Sequence, residues 1–260
     1  MKNKDLKTFY DGVYERGESH HYTKLRHARR GLSQDKIAVL ATLPWKGKMV
    51  LDVGCGTGEV AYHIARRGAA RVVGIDYAPQ AVKVASETYR GKNLEYRCED
   101  VADTKGKFDV ILSMGTLEHI DDPLALLKRM KAMLRPGGSI VITSPNWSNP
   151  RGYILMTLRA LFGAKITLVD IHYFTPPDFA QFAKKLGMKL SWRTTEQDWA
   201  HGKRLVEDFT RRLPRLLADV RPEVAQERID DFIRWIETRV VPIERDAPHT
   251  GAIGVYHFRK

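Results

Sequence analysis

The stretch "VLDVGCGTGEVA", residues 50–61, decides how the rest of the chain is read. An apolar run carries an acid, Asp52, near its end, and glycines follow at positions 54, 56 and 58. The run reads as a buried strand. The glycines read as a tight turn whose backbone a ligand can approach closely. The residues after it have helical spacing, with Val60, Ile64 and Ala65 on one face. A dinucleotide-binding turn has the spacing G-x-G-x-x-G and seats a pyrophosphate over the helix N-terminus. Here the position of its third glycine holds Glu59. That carboxylate suits the helix dipole but opposes a pyrophosphate, and Asp52 adds a second negative charge beside the loop.

Outward from this turn, four more short apolar runs are bounded by Gly or Asp. They are "RVVGID" (71–76), "LEYRCED" (94–100), "FDVILSMG" (108–115) and "GSIVITSPN" (138–146). Helical patterns separate them. "PQAVKVASETYRG" has Pro79 at its start and Gly91 just past its end, and "PLALLKRMKAMLRPGG" runs from Pro123 to a Pro-Gly-Gly stop. Strand alternating with helix over short links predicts an α/β fold, an open and mostly parallel sheet with helices on both faces.

After Asn146 the rhythm changes. A very apolar helix is expected from about Tyr153 to Phe162. "TPPDFAQFAKKLG" follows, with Thr175 as cap, Pro176 at the first position and Gly187 as stop. "MKLSWRT" reads as a strand, and 200–245 as a long charged helical stretch with Phe232, Trp235, Ile236 and Val240 at helical spacing. "GAIGVYHFRK" reads as a final strand. The organisation expected is one domain over 1–260: a helical cap (1–46), a ligand-binding core (47–146), a lid-like insertion (147–172) and a helical insertion (199–247) before the last strand.

The 260 residues are 43% hydrophobic and 28% charged, an ordinary globular composition. Two cysteines, Cys55 and Cys98, cannot form a disulfide framework or a four-thiolate zinc site, which points to a reducing cytoplasm. The N-terminal stretch is too polar for a signal peptide, and no apolar run approaches the roughly 20 residues of a bilayer span. The net charge of +12 favours polyanionic partners or simply solubility, and it is spread along the chain rather than gathered in one arm.

An acid-framed turn without a pyrophosphate seat suits a cationic ligand, and S-adenosylmethionine, with its ammonium and sulfonium, fits. Asp52 can then hold the amino-acid end, directly or through water. Asp76, ending the second strand, can accept both ribose hydroxyls. Asp100, after the third strand, can accept from the adenine amino group, with Val101 and the Ile75–Tyr77 neighbourhood about the ring. Gly54, Gly56, Tyr77 and Met114 complete the expected cofactor-binding set.

The ordered set "LDVGCGTG", an acid ending strand two, an acid after strand three, "FDVILSMGTLEHI" and "LRPGGSIVITSPN" closely resembles the class I S-adenosylmethionine-dependent methyltransferases over about Met49 to Asn146. A weaker similarity continues through "HYFTPPDFAQFAKKLGMKL". The "LEHI" and "SPN" segments are most like the subgroup containing the ubiquinone-biosynthesis O-methyltransferases. The resemblance implies a doubly wound, seven-stranded, Rossmann-like methyltransferase fold and places Asp52, Gly54, Gly56, Asp76 and Asp100 at the cofactor.

Methyl transfer from a sulfonium is an in-line displacement, so the protein mainly aligns the acceptor and handles its proton. Ligands of open parallel sheets lie beyond the C-terminal strand ends. Glu118 and His119 follow strand four and belong on that rim; His172 and Tyr173 precede the "FTPPDF" helix. His119 and His172 are the candidate bases, since histidine titrates near neutrality, and each could instead be a structural hydrogen-bonding residue. His20, His21 and Tyr22, with Tyr10 and Tyr14, either close over the cofactor or lie at the surface. Cys55 reads as a packing residue.

The acceptor expected is a small molecule, methylated at oxygen and lipophilic or anionic. The greasy 153–162 helix flanked by Arg151, Arg159 and Lys165 is either core or a lid, and leaves peripheral membrane contact open. A nucleic-acid acceptor is less favoured, because no RNA-binding module or aromatic-basic pattern is present. A nicotinamide oxidoreductase is disfavoured by the missing glycine, and a non-catalytic cofactor-binding partner protein remains open. No metal is expected: Asp121 and Asp122 before Pro123 read as helix capping. The sequence leaves the oligomeric state open.

Overall fold

A computed structural model describes residues 31–167, 169–220, 226–235, 237 and 249–260. Tyr10, Tyr14, His20, His21, Tyr22, Ile236 and Val240 lie outside these residues. The chain runs α1 (Gln34–Leu40), β1 (Met49–Val53), α2 (Glu59–Arg66), β2 (Arg71–Asp76), α3 (Pro79–Thr88), β3 (Leu94–Cys98) and β4 (Phe108–Met114). A 3₁₀ turn (Leu117–His119), α4 (Pro123–Ala132), β5 (Leu134–Pro145), α5 (Pro150–Phe162), α6 (Pro176–Leu186) and β6 (Lys189–Thr195) follow. The chain then continues through α7 (Gln197–His201), α8 (Lys203–Val220), α9 (Gln226–Trp235) and β7 (Ile253–Arg259).

The strands form one seven-stranded sheet in the order β3-β2-β1-β4-β5-β7-β6. The first five are parallel neighbours, while β7 runs antiparallel to both β5 and β6. Strand periodicity divides the core into two layers. Leu51, Val53, Val73, Ile75, Ile111, Ile140, Ile142, Tyr256 and Phe258 face α4 and α6. Val50, Val72, Val110, Leu112, Val141 and Val255 face α1, α2 and Trp45. The expected Val60, Ile64 and Ala65 stripe of α2 is buried in the second layer.

Several local signals act as expected. Pro79, Pro123, Pro150 and Pro176 stand in the first turns of α3, α4, α5 and α6. Asp122 Oδ1 accepts the Ala125 N–H at 2.9 Å, which caps α4. Asp178 Oδ2 accepts the Thr175 N–H at 2.8 Å, and Gly187 ends α6 with φ +59°.

Three boundaries differ from expectation. α3 ends at Thr88, because Tyr89 already turns extended (φ −123°, ψ 112°), so Gly91 is not its stop. α4 ends at Ala132, and Pro-Gly-Gly lies inside β5, where the pairing jumps from Phe108↔Leu134 to Val110↔Ser139. The residues between bulge out of the ladder. The long stretch expected over 200–245 is broken at Gly202, whose extended backbone separates α7 from α8.

The two insertions are one structure. Trp147, Leu155, Ala164 and Ile166 of the first pack with Leu205, Phe209, Leu213, Leu216 and Ile229 of the second in a third apolar cluster. Arg151 Nε reaches Asp208 Oδ2 at 2.9 Å across the seam, and Arg212 donates to the same carboxylate. Among the described residues no helix is long and apolar enough to cross a membrane.

Candidate functional site

The candidate residues lie beyond the C-terminal ends of β1, β2, β3 and β4, the side on which open parallel sheets bind their ligands. Gly54, Gly56 and Gly58 all adopt positive φ (+72°, +52° and +81°), the region in which glycine alone is unstrained. The turn is also tightly walled. A Cβ on Gly54 would lie 2.5 Å from Thr116 Oγ1, and one on Gly58 would lie 2.5 Å from Tyr96 Oη.

Four backbone donors of this turn are already used. Gly54 and Cys55 give their N–H groups to the Ile75 carbonyl at 2.9 and 3.0 Å. Gly56 gives its own to Asp76 Oδ2 at 3.0 Å, and Gly58 to the Cys55 carbonyl at 2.9 Å. A phosphate-binding turn aims such groups at its ligand; this one folds them inward. Glu59, at the first position of α2, pairs with Lys36 of α1 at 2.5 Å.

Asp52 and Asp76 frame the turn. Asp52 is only 2% exposed. Burial first, and then the neighbouring Asp76 carboxylate, push its pKa up to about 7, against a smaller opposing effect of Lys36. Two buried carboxylates with one nearby cation make a place that gains from a second positive charge. Asp76 Oδ1 also accepts the Ala78 N–H at 2.9 Å, so this carboxylate braces both the glycine turn and the start of α3. The Cys55 thiol is held up by burial and by both acids, which keeps it protonated and inert.

The remaining expected cofactor residues occupy the same rim with different surroundings. Tyr77 follows β2 directly, and Met114 ends β4, half-buried against the second layer. Val101 packs on the first layer beyond β3. Asp100 is exposed and its Oδ1 caps a turn by accepting the Ala102 N–H at 2.8 Å.

The two candidate bases are joined through one short segment. Ile171 and His172 give their N–H groups to the Glu118 carbonyl at 3.0 and 3.1 Å. His119 is nearly buried, with Nδ1 3.3 Å from the Val169 carbonyl and 3.4 Å from Asp170 Oδ1. Burial lowers its pKa, partly offset by the Val169 carbonyl. His172 has Nε2 at 2.9 Å from the Ile120 carbonyl and stacks on Phe174. Tyr173 turns away into the third cluster, edge-on to Trp147 and beneath Arg159. The "SPN" segment is an anchor: Asn146 Nδ2 donates to the Gly251 carbonyl at 2.8 Å, and Asn149 Oδ1 accepts from Gly152 at the start of α5.

Lys36, Thr116 and Asp170 have a part in the geometry that their sequence context did not announce, and Glu118, expected on the rim, is buried there as its sequence context did not announce. Glu118 is the most perturbed of them. Burial raises its pKa to about 8, Asp170 adds to this, and Ser144 Oγ donates to its Oε2 at 3.1 Å. Its place in "LEHI", directly after a strand, is the one local hint. Among the described residues no group of three or more His, Cys, Asp or Glu is placed to hold a metal ion.

Comparison with known proteins extends this picture. A family model described as "Methyltransferase domain" matches residues 25–191. The chain is 34% identical over 174 residues to a ubiquinone biosynthesis O-methyltransferase of Xanthomonas campestris pv. campestris, covering 63% of this chain and 71% of that one. It is 32% identical over 157 residues to the protein of the same name from Neisseria meningitidis serogroup C, covering 56% and 66%. It thus spans about two thirds of the length of these curated relatives. A similar solved structure is magnesium protoporphyrin IX methyltransferase from Synechocystis PCC 6803 with bound SAH, at TM-score 0.56 and 17% identity over 72% of this chain and 91% of that one. At that identity the likeness concerns the fold.

Proposed function

The chain belongs to the methyltransferase domain family, and from that premise we propose that it methylates a hydroxyl group of a small molecule with S-adenosylmethionine as donor. The observation that carries this reading is the inward-folded, acid-framed turn after β1. The N–H groups of Gly54, Cys55, Gly56 and Gly58 are spent within the protein, and Asp52 and Glu59 border the turn where a dinucleotide would bring phosphates. A donor with an ammonium and a sulfonium and no phosphate suits those charges. The likeness to ubiquinone biosynthesis O-methyltransferases supports oxygen as the methylated atom.

In this reading Asp52 holds the amino-acid end of the donor, and Gly54 and Gly56 let it lie against the backbone. Asp76, which ends β2, accepts the ribose hydroxyls in this reading. Tyr77, Asp100 and Val101 flank the adenine, and Met114 meets the donor from the end of β4. Bound there, S-adenosylmethionine would supply a methyl group activated by the sulfonium, the carbon–sulfur electron pair staying with sulfur as the acceptor oxygen takes the methyl. The chain's task is to orient the acceptor and accept its hydroxyl proton. His119 is the base in this reading, and His172, hydrogen-bonded to the Ile120 carbonyl, braces the segment beside it. Tyr153 and Phe162 stand out from α5, 61% and 48% exposed, which supports an apolar acceptor.

The test is a thermal-shift and calorimetry panel with S-adenosylmethionine, S-adenosylhomocysteine, NAD and NADP. The two adenosyl amino acids are expected to stabilise the fold by mass action, about 2.7 kcal/mol at a hundredfold excess over Kd. Stabilisation by a pyrophosphate nucleotide and by neither adenosyl amino acid overturns the reading.

A further inference from the structure

The segment before α6 brings a carboxylate to the rim that the reading above leaves without a task. Asp170 Oδ1 stands 3.4 Å from His119 Nδ1, beside the Val169 carbonyl that the same nitrogen meets at 3.3 Å. The two backbones are pinned together, since Ile171 and His172 both donate to the Glu118 carbonyl. Both side chains are largely withdrawn from water, at 8% exposure for His119 and 13% for Asp170. We propose that Asp170 is the positioning residue of His119: together with the Val169 carbonyl it keeps the proton on Nδ1 and the basic lone pair on Nε2, and its charge stabilises the imidazolium formed when the hydroxyl proton arrives. This rests on His119 being the base of the proposed methyl transfer.

Asp170 belongs to the first insertion, and its charge is set from there. Burial raises its pKa to about 6, while Arg151 of α5 and Arg212 of α8 pull it down. Those two arginines share Asp208, and Arg212 Nη1 also donates to the Ile166 carbonyl at 2.6 Å. Glu118, itself buried, is the other carboxyl that the Asp170 charge reaches, and His172 follows two residues on. The seam between the insertions therefore keeps Asp170 ionised near neutrality, which makes the cover a participant in the proton chemistry of the rim. In the transfer the acceptor O–H bond breaks, the proton goes to His119 Nε2, and the imidazolium later returns it to water. A carboxylate beside one ring nitrogen favours the charged ring.

The test reads the ring itself. In protein labelled with ¹⁵N-histidine, long-range ¹H–¹⁵N spectra report tautomer and pKa, with His119 assigned from His119→Gln. The wild type is expected to carry the Nδ1–H tautomer. Asp170→Asn is expected to lower the His119 pKa by about one pH unit, a shift that a merely structural role would not produce. A wild-type ring protonated at Nε2, or a His119 pKa unmoved in Asp170→Asn, overturns the proposal. If Asp170→Asn fails to fold, Asp170→Ser is read in its place, and the His119 pKa decides in the same way. In parallel, transfer of tritiated methyl from S-adenosylmethionine to a catechol probe is followed against pH. Asp170→Asn should lower kcat at least tenfold, leave the KM for S-adenosylmethionine within about twofold, and move the acid limb with the ring pKa. Failure of wild-type protein to bind S-adenosylmethionine by calorimetry refutes the methyltransferase reading instead and leaves the ring measurement as it stands.

Discussion

Gly56 donates its backbone N–H to Asp76 Oδ2 at 3.0 Å, so the carboxylate that ends β2 is the brace of the turn that follows β1. The same side chain accepts from Ala78 through Oδ1. One acid thereby sets the shape of the turn and the direction of α3.

Asp76→Asn can keep one of these two acceptors and must present an NH₂ to the other donor. The expected loss is about 2 kcal/mol of stability, the scale of a charged hydrogen bond and a stranded buried amide. Affinity for S-adenosylmethionine should fall at least tenfold. Urea denaturation and calorimetry measure the two, and a variant unchanged in both would remove the brace from the account.

Gly58→Ala places a Cβ 2.5 Å from Tyr96 Oη, on a residue whose φ is +81°. Tyr96 holds the Gly58 carbonyl at 2.9 Å, so yielding breaks that bond. The variant should lose about 2 kcal/mol from backbone strain and displacement together. Gly163→Ala, also at positive φ but with open space around it, should cost about 1 kcal/mol or less and leave ligand affinity unchanged. Equal effects of the two would show that only φ matters.

The stability of the ligand-free protein should fall as pH rises from about 4 to about 8. Asp52, raised to about 7, and Glu118, raised to about 8, keep protons in the folded state that the unfolded chain has already released. The folded state therefore binds more protons in this window, and the slope is negative, up to about 1.4 kcal/mol per pH unit for each group. Asp52→Asn and Glu118→Gln should each flatten the slope, and Asp52→Asn should also weaken S-adenosylmethionine. Because the donor's cation favours ionised Asp52, its binding near pH 6.5 should release a proton, seen as a buffer-dependent binding enthalpy. Chemical denaturation that gives a flat profile from pH 5 to 8 contradicts both assignments.

Asp208→Asn leaves Arg151 and Arg212 facing each other in a buried seam. Burial alone raises the Asp208 pKa, but the two arginines hold it below the usual carboxylate range, so its charge is used in the fold. The expected cost is about 3 kcal/mol or more, confined to the cover. Hydrogen exchange should accelerate in α5 and α8 while β1, β4 and β5 keep their protection. Uniform loss of protection would make the cover and the sheet one cooperative unit.

His119→Gln should lower kcat about a hundredfold with donor affinity retained, the usual scale of a lost general base. His172→Gln should act less strongly on kcat and more on stability, because its Nε2 is engaged with the Ile120 carbonyl. The opposite ranking in steady-state kinetics would exchange their roles.

The parallel sheet, the positive-φ glycine turn and the capped α6 were all legible in local pattern. So was the aversion of the turn to phosphate, through Glu59 and Asp52. Asp100 was legible as an acid after a strand, but not as an exposed turn cap, since the Ala102 N–H it accepts is a matter of local backbone shape. Glu118 was visible in "LEHI", yet nothing around it in the chain indicates that Ser144, 26 residues on, shares its burial. The two insertions carry apolar spacing of their own, and their common cluster joins residues such as Leu155 and Phe209 that no local window contains.

What the sequence alone determined is the alternation that sorts Val50 from Leu51 onto opposite layers, and the glycines that only one kind of turn accepts. Both follow from backbone sterics and residue period, which act within a few positions. What the tertiary structure alone decided is where charge is costly: Asp52 against Asp76, Glu118 beside Ser144, Asp170 between His119 and the arginines of the cover. Desolvation and Coulomb energy depend on atoms that neighbour one another in space, and here those atoms come from segments far apart in the chain.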